Sequence, residues 1–150
     1  MAGENEYGPS TWDWVAEQVA EYEASGGERA NTLRDTGIPI IVMTTTGHKT
    51  GKVRKVPLMR VEHHGDYGIV ASKGGMPNHP GWYHNLVADP HVTIQDGSEP
   101  LDYTVRSISG EERARWWERG VSVYPPYADY AVSAGEAGRE IPMFVASRTR

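Results

Sequence analysis

Six short segments with the composition of β-strands constrain the fold of this chain more than any other feature of its sequence. They contain β-branched, aromatic or other apolar residues, and glycine, proline, asparagine or aspartate residues lie between consecutive segments. The strands do not alternate one for one with helices, which argues against a doubly wound sheet and favours an antiparallel barrel with peripheral helices. The predicted strands are residues 38–46, 53–63, 67–72, 91–95, 101–108 and 141–147.

Helices are predicted around this sheet. Residues 10–25 carry apolar side chains at helical spacing after Ser10, a candidate N-cap, and two glycines end the pattern. Shorter helices are predicted over residues 80–88 and 113–123, and Pro57 places the second strand at a sheet edge or a bulge. The chain of 150 residues is therefore predicted to be a single domain, 1–150, mainly β with peripheral helices (α+β), with about six antiparallel strands.

Composition excludes several classes of function. The chain has no cysteine, which removes disulfide frameworks, thiolate metal sites and cysteine nucleophiles. Its net charge of −5 argues against nucleic acid as the main partner. No apolar run approaches the roughly 20 residues that span a bilayer. Residues 1–28 hold seven acids and no Lys or Arg, so an anionic membrane surface would repel them. A soluble, cytoplasmic protein without membrane association is expected.

The distribution of charge along the chain is uneven. Residues 36–61 hold five Lys or Arg and no acid, and residues 67–88 hold Lys73 and no acid. A basic stretch inside an acidic protein suggests an anionic ligand. The alternative is that these cations decorate an exposed hairpin. The six histidines lack the spacing of a metal site, and no metal is expected.

Three segments carry groups that could bind such a ligand. Residues 44–54 join a strand to a turn with two glycines, whose N–H groups can approach a phosphate, and Arg54 can bind an oxyanion with two hydrogen bonds. The alternative is a basic β-turn without a ligand. Residues 71–75 (Ala-Ser-Lys-Gly-Gly) offer amides, a hydroxyl and a cation. Residues 82–86 (Trp-Tyr-His-Asn-Leu) are, taken alone, better explained as a helix that packs its aromatic residues on a core.

Taken together and in order, these motifs resemble the deazaflavin-dependent nitroreductase family. The matching residues are 44–54, Pro57-Leu58, 71–75, His79-Pro80, Trp82-Tyr83, Asn85-Leu86, Ala88 and Pro90, and the resemblance runs from about residue 38 to 144. It implies a split β-barrel of the class that also binds FMN. It also implies coenzyme F420, an 8-hydroxy-5-deazaflavin with a phosphodiester and a γ-glutamyl tail, as cofactor, with FMN as the alternative.

The resemblance also implies roles for individual residues. Lys49, Arg54 and Lys73 would bind phosphate and tail, and Ser72 and Gly74 would lie close to the deazaflavin ring. Trp82, Tyr83 and Asn85 would shape the groove wall. The matched motifs add Thr46, Thr50, Pro57, Ala71 and Gly75 to the cofactor-binding set.

A cluster of tyrosines follows near the C-terminus. Tyr124, Tyr127 and Tyr130 recur every third residue and share one side of a short predicted helix. In the resembled family this cluster lines the acceptor pocket, and residues 124–138 would form a lid between a Pro-Pro break and two glycines. Core packing of the aromatic rings is the alternative. Ser72 or a tyrosine would hydrogen-bond a developing oxyanion, so Ser72 and the three tyrosines are the catalytic candidates.

Met59 marks a departure from part of the family. Nitroimidazole-activating members have a tyrosine at the matching position, and the loss of its ring and hydroxyl argues against prodrug activation by this chain. Met59 and the three tyrosines are the predicted substrate pocket.

The implied function is an F420H2-dependent oxidoreductase that passes hydride to a quinone, an enone or a nitroaromatic. An F420-reducing dehydrogenase would be an indirect partner through the shared cofactor. The alternatives are an FMN-dependent reductase on the same fold, a non-catalytic deazaflavin-binding protein, and a structural protein that keeps only the barrel.

Overall fold

The computed structural model describes residues 13–33 and 36–149. These residues form four α-helices and seven β-strands. In chain order they are α1 (Asp13–Ala24), β1 (Ile40–Thr46), β2 (Val53–Met59), β3 (Glu62–His63), β4 (Asp66–Val70), α2 (Gly81–Ala88), β5 (His91–Gln95), β6 (Pro100–Ser107), α3 (Gly110–Val123), α4 (Pro126–Glu136) and β7 (Met143–Arg148). The predicted start of the first helix, with Ser10 as its cap, lies outside the described residues.

The described strands form one antiparallel sheet in the order β2-β1-β5-β6-β7-β4-β3. The α+β class and the antiparallel pairing are as predicted, but the strand count of about six is wrong. Residues 53–63, predicted as a single strand, form both β2 and β3. Pro57 lies on the edge strand β2, as expected for a residue without a backbone N–H.

The break between β2 and β3 curls the sheet into a half-barrel. These strands lie at opposite edges of the sheet although only Arg60 and Val61 separate them in the chain. The N–H of Arg60 donates to the carbonyl of Pro39, just before β1, at 3.0 Å, whereas the carbonyl of Val61 accepts from the N–H of Gly68 on β4 at 2.7 Å. Because consecutive residues pair with opposite edges, the two edges must lie close together.

The hydrophobic core has three clusters of buried side chains. The largest fills the curled sheet and includes Met43, Ile69, Leu86 and Phe144. A second cluster lies under α3 and α4, and a third lies under α1. No helix in the described part of the chain is long and apolar enough to cross a membrane.

Close packing of α3 on β4 fixes the C-terminal helices against the sheet. A Cβ added at Gly68 on β4 would lie 2.7 Å from the ring of Trp116 on α3, so the indole needs a glycine beneath it. Tyr127 on α4 then packs in the same cluster as Trp116. The position of α4 relative to the sheet is therefore set by buried contacts.

Candidate active site

The first glycine turn, residues 47–52, joins β1 to β2 and is called the basic turn below. The N–H of Gly47 donates to the carbonyl of Lys52 at 2.7 Å, and the N–H of Gly51 donates to the carbonyl of Gly47 at 2.9 Å. Lys49 is exposed at its tip, and Arg54 is half-buried on β2. The Arg54 guanidinium reaches back over the turn, because a Cβ added at Gly47 would lie 3.6 Å from Arg54 Nε.

Asn85 on α2 fixes the basic turn through its side-chain amide. Its Oδ1 accepts from the backbone N–H of His48 at 2.9 Å and lies 2.7 Å from His48 Nδ1. Its Nδ2 donates to Thr45 Oγ1 at 3.0 Å. Asn85 is 5% exposed, and both ends of its amide bond to protein groups. The structure therefore gives Asn85 the role of holding the turn; direct contact with a cofactor stays a prediction.

The second glycine turn, residues 72–75, follows β4 and is called the left-handed turn below. Lys73, Gly74 and Gly75 have φ angles of 46°, 62° and 75° after a right-handed Ser72. For Lys73 this conformation costs roughly 1–2 kcal/mol, a strain that persists only where the surroundings impose it. A right-handed residue followed by a left-handed one turns successive N–H groups to one side, an arrangement that binds anions. A Cβ added at Gly74 would meet nothing within 4 Å, so this side of the turn is open.

Arg139 lies beneath the left-handed turn, although it is 67 residues away from Ser72 in the chain. Its Nη1 donates to the carbonyls of Ser72 and Met76, both at 2.9 Å, and its Nη2 donates to the carbonyl of Ala71. Its Nε donates to His79 Nδ1 at 2.7 Å. The side chain is buried, and burial lowers the pKa of its guanidinium.

The left-handed turn also contacts α4 directly. A Cβ added at Gly75 would lie 2.6 Å from the carbonyl oxygen of Tyr130 and 2.8 Å from its Cα, so Gly75 touches the helix backbone. This contact joins the predicted cofactor-binding turn to the predicted acceptor pocket. Whether α4 acts as a lid stays a prediction.

The three tyrosines of α4 and its entry have different environments. Tyr124 Oη and Tyr130 Oη lie 2.9 Å apart, and both rings are half-buried. Tyr127 is 6% exposed and belongs to the core, so the core-packing alternative describes its ring well. The hydrogen bond to Tyr130, together with burial, raises the pKa of Tyr124 to about 12. Burial also raises the pKa of Tyr127.

The other predicted site residues lie around these turns. Met59 packs against the same cluster as Tyr124 and Tyr130. Trp82 and Tyr83 are half-buried on α2 and pack against the main core, as expected for a helix that packs its aromatic residues on a core. The remaining residues are Thr46 at the end of β1, Thr50 exposed in the basic turn, Pro57 on β2, and Ala71, buried directly before the left-handed turn.

Sequence reasoning missed Arg139 and His79 as a pair. Arg139 follows Gly138, whose φ is 79°, at the end of α4, where a single arginine gives no sign of a distant partner. His79 was part of the family motif but received no role. Only the fold brings the two together, because Arg139 and His79 are 60 residues apart in the chain.

The arrangement combines exposed cations on two glycine turns with a pair of phenols joined by a hydrogen bond. The exposed cations suit a phosphorylated or carboxylated ligand, and the tyrosine hydroxyls suit an acceptor oxygen. Within residues 13–33 and 36–149, no three His, Asp or Glu side chains are grouped so that they could hold a metal ion. An arrangement of this kind can bind an anionic ligand and donate a hydrogen bond to an oxygen atom.

Comparison with known proteins agrees with this chemistry. Residues 14–148 match the family model of F420H(2)-dependent quinone reductase. An F420H(2)-dependent quinone reductase of Mycobacterium tuberculosis is 35% identical over 116 residues, which cover 73% of this chain and 74% of the relative.

Two solved structures are also similar. One, described as an F420-H2 dependent reductase, is 53% identical with a TM-score of 0.67 and is matched over 73% of this chain and 94% of its own. Another, described as a domain-swapped dimer, is 47% identical with a TM-score of 0.69 and is matched over 92% of this chain and 100% of its own. The chain belongs to the F420H2-dependent quinone reductase family, whose cofactor is coenzyme F420.

Proposed function

We propose that this chain binds F420H2 across its two glycine turns and reduces a quinone beside the Tyr124–Tyr130 pair. The observation that carries the proposal is the contact between Gly75 and the backbone of Tyr130. The contact joins the left-handed turn to the helix that carries Tyr130, which supports a cofactor site and an acceptor site side by side. A cofactor held at the turn and an acceptor held at the phenols would then be neighbours.

The residues of the two glycine turns fit coenzyme F420. Lys49 and Lys73 are exposed, Arg54 is half-buried above the basic turn, and the left-handed turn is open on the side of Gly74. A phosphodiester and a γ-glutamyl tail supply several negative charges for these donors. FMN, the alternative, carries a single phosphate and would use fewer of them. The same charge argument therefore favours the deazaflavin over the flavin.

The chain's own contribution to the reaction is alignment and hydrogen bonding. Bound F420H2 supplies a hydride. Tyr124 and Tyr130 share one hydrogen bond, so one of the two hydroxyls keeps a proton that it can donate to the acceptor. Because the pKa of Tyr124 is about 12, its hydroxyl stays protonated at neutral pH. Either phenol, or the hydroxyl of Ser72, can stabilise the negative charge that develops on a quinone oxygen.

Met59 favours a quinone over a nitroimidazole as the acceptor. It is half-buried against the cluster that holds Tyr124 and Tyr130, and its thioether offers no hydroxyl. An apolar, adaptable side chain suits the hydrocarbon body of a quinone. Enones and nitroaromatics remain secondary candidates on the same hydride chemistry.

The experiment is a steady-state assay of F420H2 oxidation with a soluble quinone, an enone and a nitroaromatic. We expect quinone turnover by the wild type and a decrease of about tenfold to a hundredfold in kcat/KM for the Tyr124→Phe and Tyr130→Phe variants. Tyr103→Phe is the control, because Tyr103 lies in the cluster that fills the curled sheet and not in the one that holds Tyr124 and Tyr130. F420 binding without turnover of any acceptor would instead support the non-catalytic binding protein.

The reaction requires a partner enzyme that regenerates F420H2. Each quinone reduced consumes one F420H2, so a dehydrogenase that reduces F420 must regenerate it.

We infer a soluble protein in the cytoplasm, since residues 1–28 hold seven acids and no Lys or Arg. Sedimentation with anionic liposomes at low salt tests this: the protein should stay in the supernatant, and its recovery in the pellet would contradict the inference.

A further inference from the structure

The buried, positively charged guanidinium of Arg139 lies on the inner side of the left-handed turn. It is 8% exposed, and its guanidinium donates to the carbonyls of Ala71, Ser72 and Met76 and to the ring of His79. Across the part of the chain that the structure describes, no carboxylate forms an ion pair with it. A buried cation that bonds only to carbonyl oxygens and an imidazole has a specific structural task.

The carbonyl contacts determine the direction of the neighbouring amides. A trans peptide unit holds its C=O and its N–H on opposite sides. Since the carbonyls of Ala71 and Ser72 face Arg139, the N–H groups of Ser72 and Lys73, which belong to the same two peptide units, face away from it. They face the open side of the turn, where Lys73 and Gly74 are exposed.

Arg139 also connects the two ends of the turn. A single nitrogen, Nη1, bonds both the carbonyl of Ser72, where the turn begins, and the carbonyl of Met76, directly after it. Lys73 between them is held in the left-handed region, which a residue with a side chain rarely adopts. Without Arg139 the carbonyls of Ala71 and Met76 lose this donor, and the carbonyl of Ser72 keeps only the N–H of Gly75. Rotation of one peptide unit could then turn its N–H away from the open side of the turn.

We propose that Arg139 is a positioning residue that directs the amides of Ser72 and Lys73 at a negatively charged or carbonyl oxygen of the cofactor. This inference rests on the proposed function for the identity of the ligand. The oxygen belongs either to the phosphate and tail or to the deazaflavin ring, and the two sources are distinguished below. Arg139 itself does not touch the cofactor.

His79 supplies an independent readout of this arrangement. Because Arg139 Nε–H donates to His79 Nδ1, Nδ1 carries no proton, and the proton of the neutral ring is on Nε2. Burial lowers the pKa of His79, and the nearby charge of Arg139 lowers it further. Nitrogen NMR of the imidazole therefore reports the Arg139 contact without any cofactor present.

The first experiment compares the wild type with Arg139→Lys in titrations with oxidised F420 and with its phosphate-free core, 8-hydroxy-5-deazariboflavin. Lysine keeps the charge but cannot bond four acceptors at once. We expect the F420 dissociation constant to rise about tenfold or more, as for the loss of an oriented hydrogen bond to a charged group. A loss confined to F420 assigns the amides to phosphate or tail, and an equal loss with the core assigns them to the ring.

Arg113→Lys is the matched control. Arg113 also donates to a backbone carbonyl, that of Ile141 at 2.6 Å, and with Arg139 it lines a cavity of about 420 Å³ between α3 and α4. It makes no contact with the left-handed turn. The control should bind F420 as the wild type does, and in nitrogen NMR it should keep the wild-type shift of His79 Nδ1, which Arg139→Lys should change.

The second experiment is chemical rescue. Arg139→Ala enlarges the cavity that Arg139 already lines, so guanidinium ion can enter it. Millimolar guanidinium should restore part of the F420 affinity of this variant, whereas sodium at the same ionic strength should not. A destabilising effect alone would not be reversed by so little guanidinium, because guanidinium weakens folding in general.

Two outcomes overturn the inference while the proposed function stands. One is unchanged F420 affinity in a folded Arg139→Lys variant. The other is a wild-type His79 that carries its proton on Nδ1, which would show that the Arg139 contact does not exist in solution. If the wild type binds neither F420 nor its core, the proposed function fails and the inference fails with it.

Discussion

Gly75 and Tyr130 touch through their backbones: a Cβ at position 75 would lie 2.6 Å from the carbonyl oxygen of Tyr130. We predict that Gly75→Ala destabilises the fold by about 2–4 kcal/mol, which combines strain in the left-handed region with overpacking against α4. It should also lower kcat/KM for a quinone, since α4 carries the phenol pair. Urea denaturation and the F420H2 assay measure the two effects.

Gly65→Ala is the control for this prediction. Gly65 has a φ of 86° in the hairpin between β3 and β4, and a Cβ there would meet nothing within 4 Å. It therefore shares the left-handed strain but not the clash, and it should cost about 1 kcal/mol without changing quinone turnover. Equal losses of stability in the two variants would mean that Gly75 does not pack against Tyr130 in solution.

Tyr130→Phe should change the titration of its neighbour. The hydrogen bond to Tyr130 is the largest cause that raises the pKa of Tyr124 from 10.0 to about 12. Without that bond the pKa of Tyr124 should fall towards 10.0, so tyrosinate appears at lower pH. Carbon NMR of ring-labelled tyrosine measures this, with Tyr124→Phe to assign the signal. An unshifted Tyr124 pKa would contradict the contact on which the proposed phenol pair depends.

Protonation of His79 should destabilise the protein in mild acid. Its pKa in the folded state lies below 6.5, because the half-buried ring is partly desolvated and lies near the charges of Arg139 and His84. The unfolded chain therefore binds more protons as the pH falls below 6.5, and the free energy of unfolding decreases over that range. His79→Asn, which keeps an acceptor for Arg139, should flatten this pH dependence in urea denaturation curves.

His91→Asn is the comparison for the acid effect. His91 lies exposed at the start of β5. This variant should keep the wild-type loss of stability below pH 6.5. If His79→Asn and His91→Asn give the same slope as the wild type, the acid sensitivity has another origin and the lowered pKa of His79 is wrong.

Replacement of Asn85 should disturb the basic turn more than it disturbs the sheet. Asn85→Ala removes the acceptor of the His48 N–H and the donor to the buried Thr45 hydroxyl, and we expect a loss of about 2–3 kcal/mol. F420 affinity should fall as well, because the turn would no longer be fixed. Asn31→Ala, which removes exposed bonds to the carbonyls of Gly27 and Glu28, should change neither quantity by much.

The sequence predicts the sheet well because strand composition and turn residues are local signals. It does not predict that residues 53–63 divide at Arg60 and Val61, since β-branched and charged residues alternate through the break. The division depends on two hydrogen bonds, one from Arg60 to Pro39 and one from Gly68 to Val61. These bonds form only when the sheet curls, so local sequence does not reveal them. The strand count was therefore wrong by one.

The candidate site was predictable where it consists of short motifs. The basic turn, the left-handed turn and the three tyrosines could all be named from the sequence. The roles of Asn85, Tyr127 and Arg139 could not, because burial decides them: an amide that bonds to His48, a ring that packs in the core, and a guanidinium beneath Ser72. Each depends on contacts between residues that the fold alone brings together.

The central claim is that the two glycine turns, with Lys49, Arg54 and Lys73, select coenzyme F420. The most direct test is titration of the purified protein with oxidised F420 and, separately, with FMN, followed by tryptophan fluorescence at low and high salt. We predict tight F420 binding that weakens with salt, because Lys49, Arg54 and Lys73 act largely through charge, and weaker binding of FMN. Tighter binding of FMN, or F420 binding that salt does not change, would contradict the account.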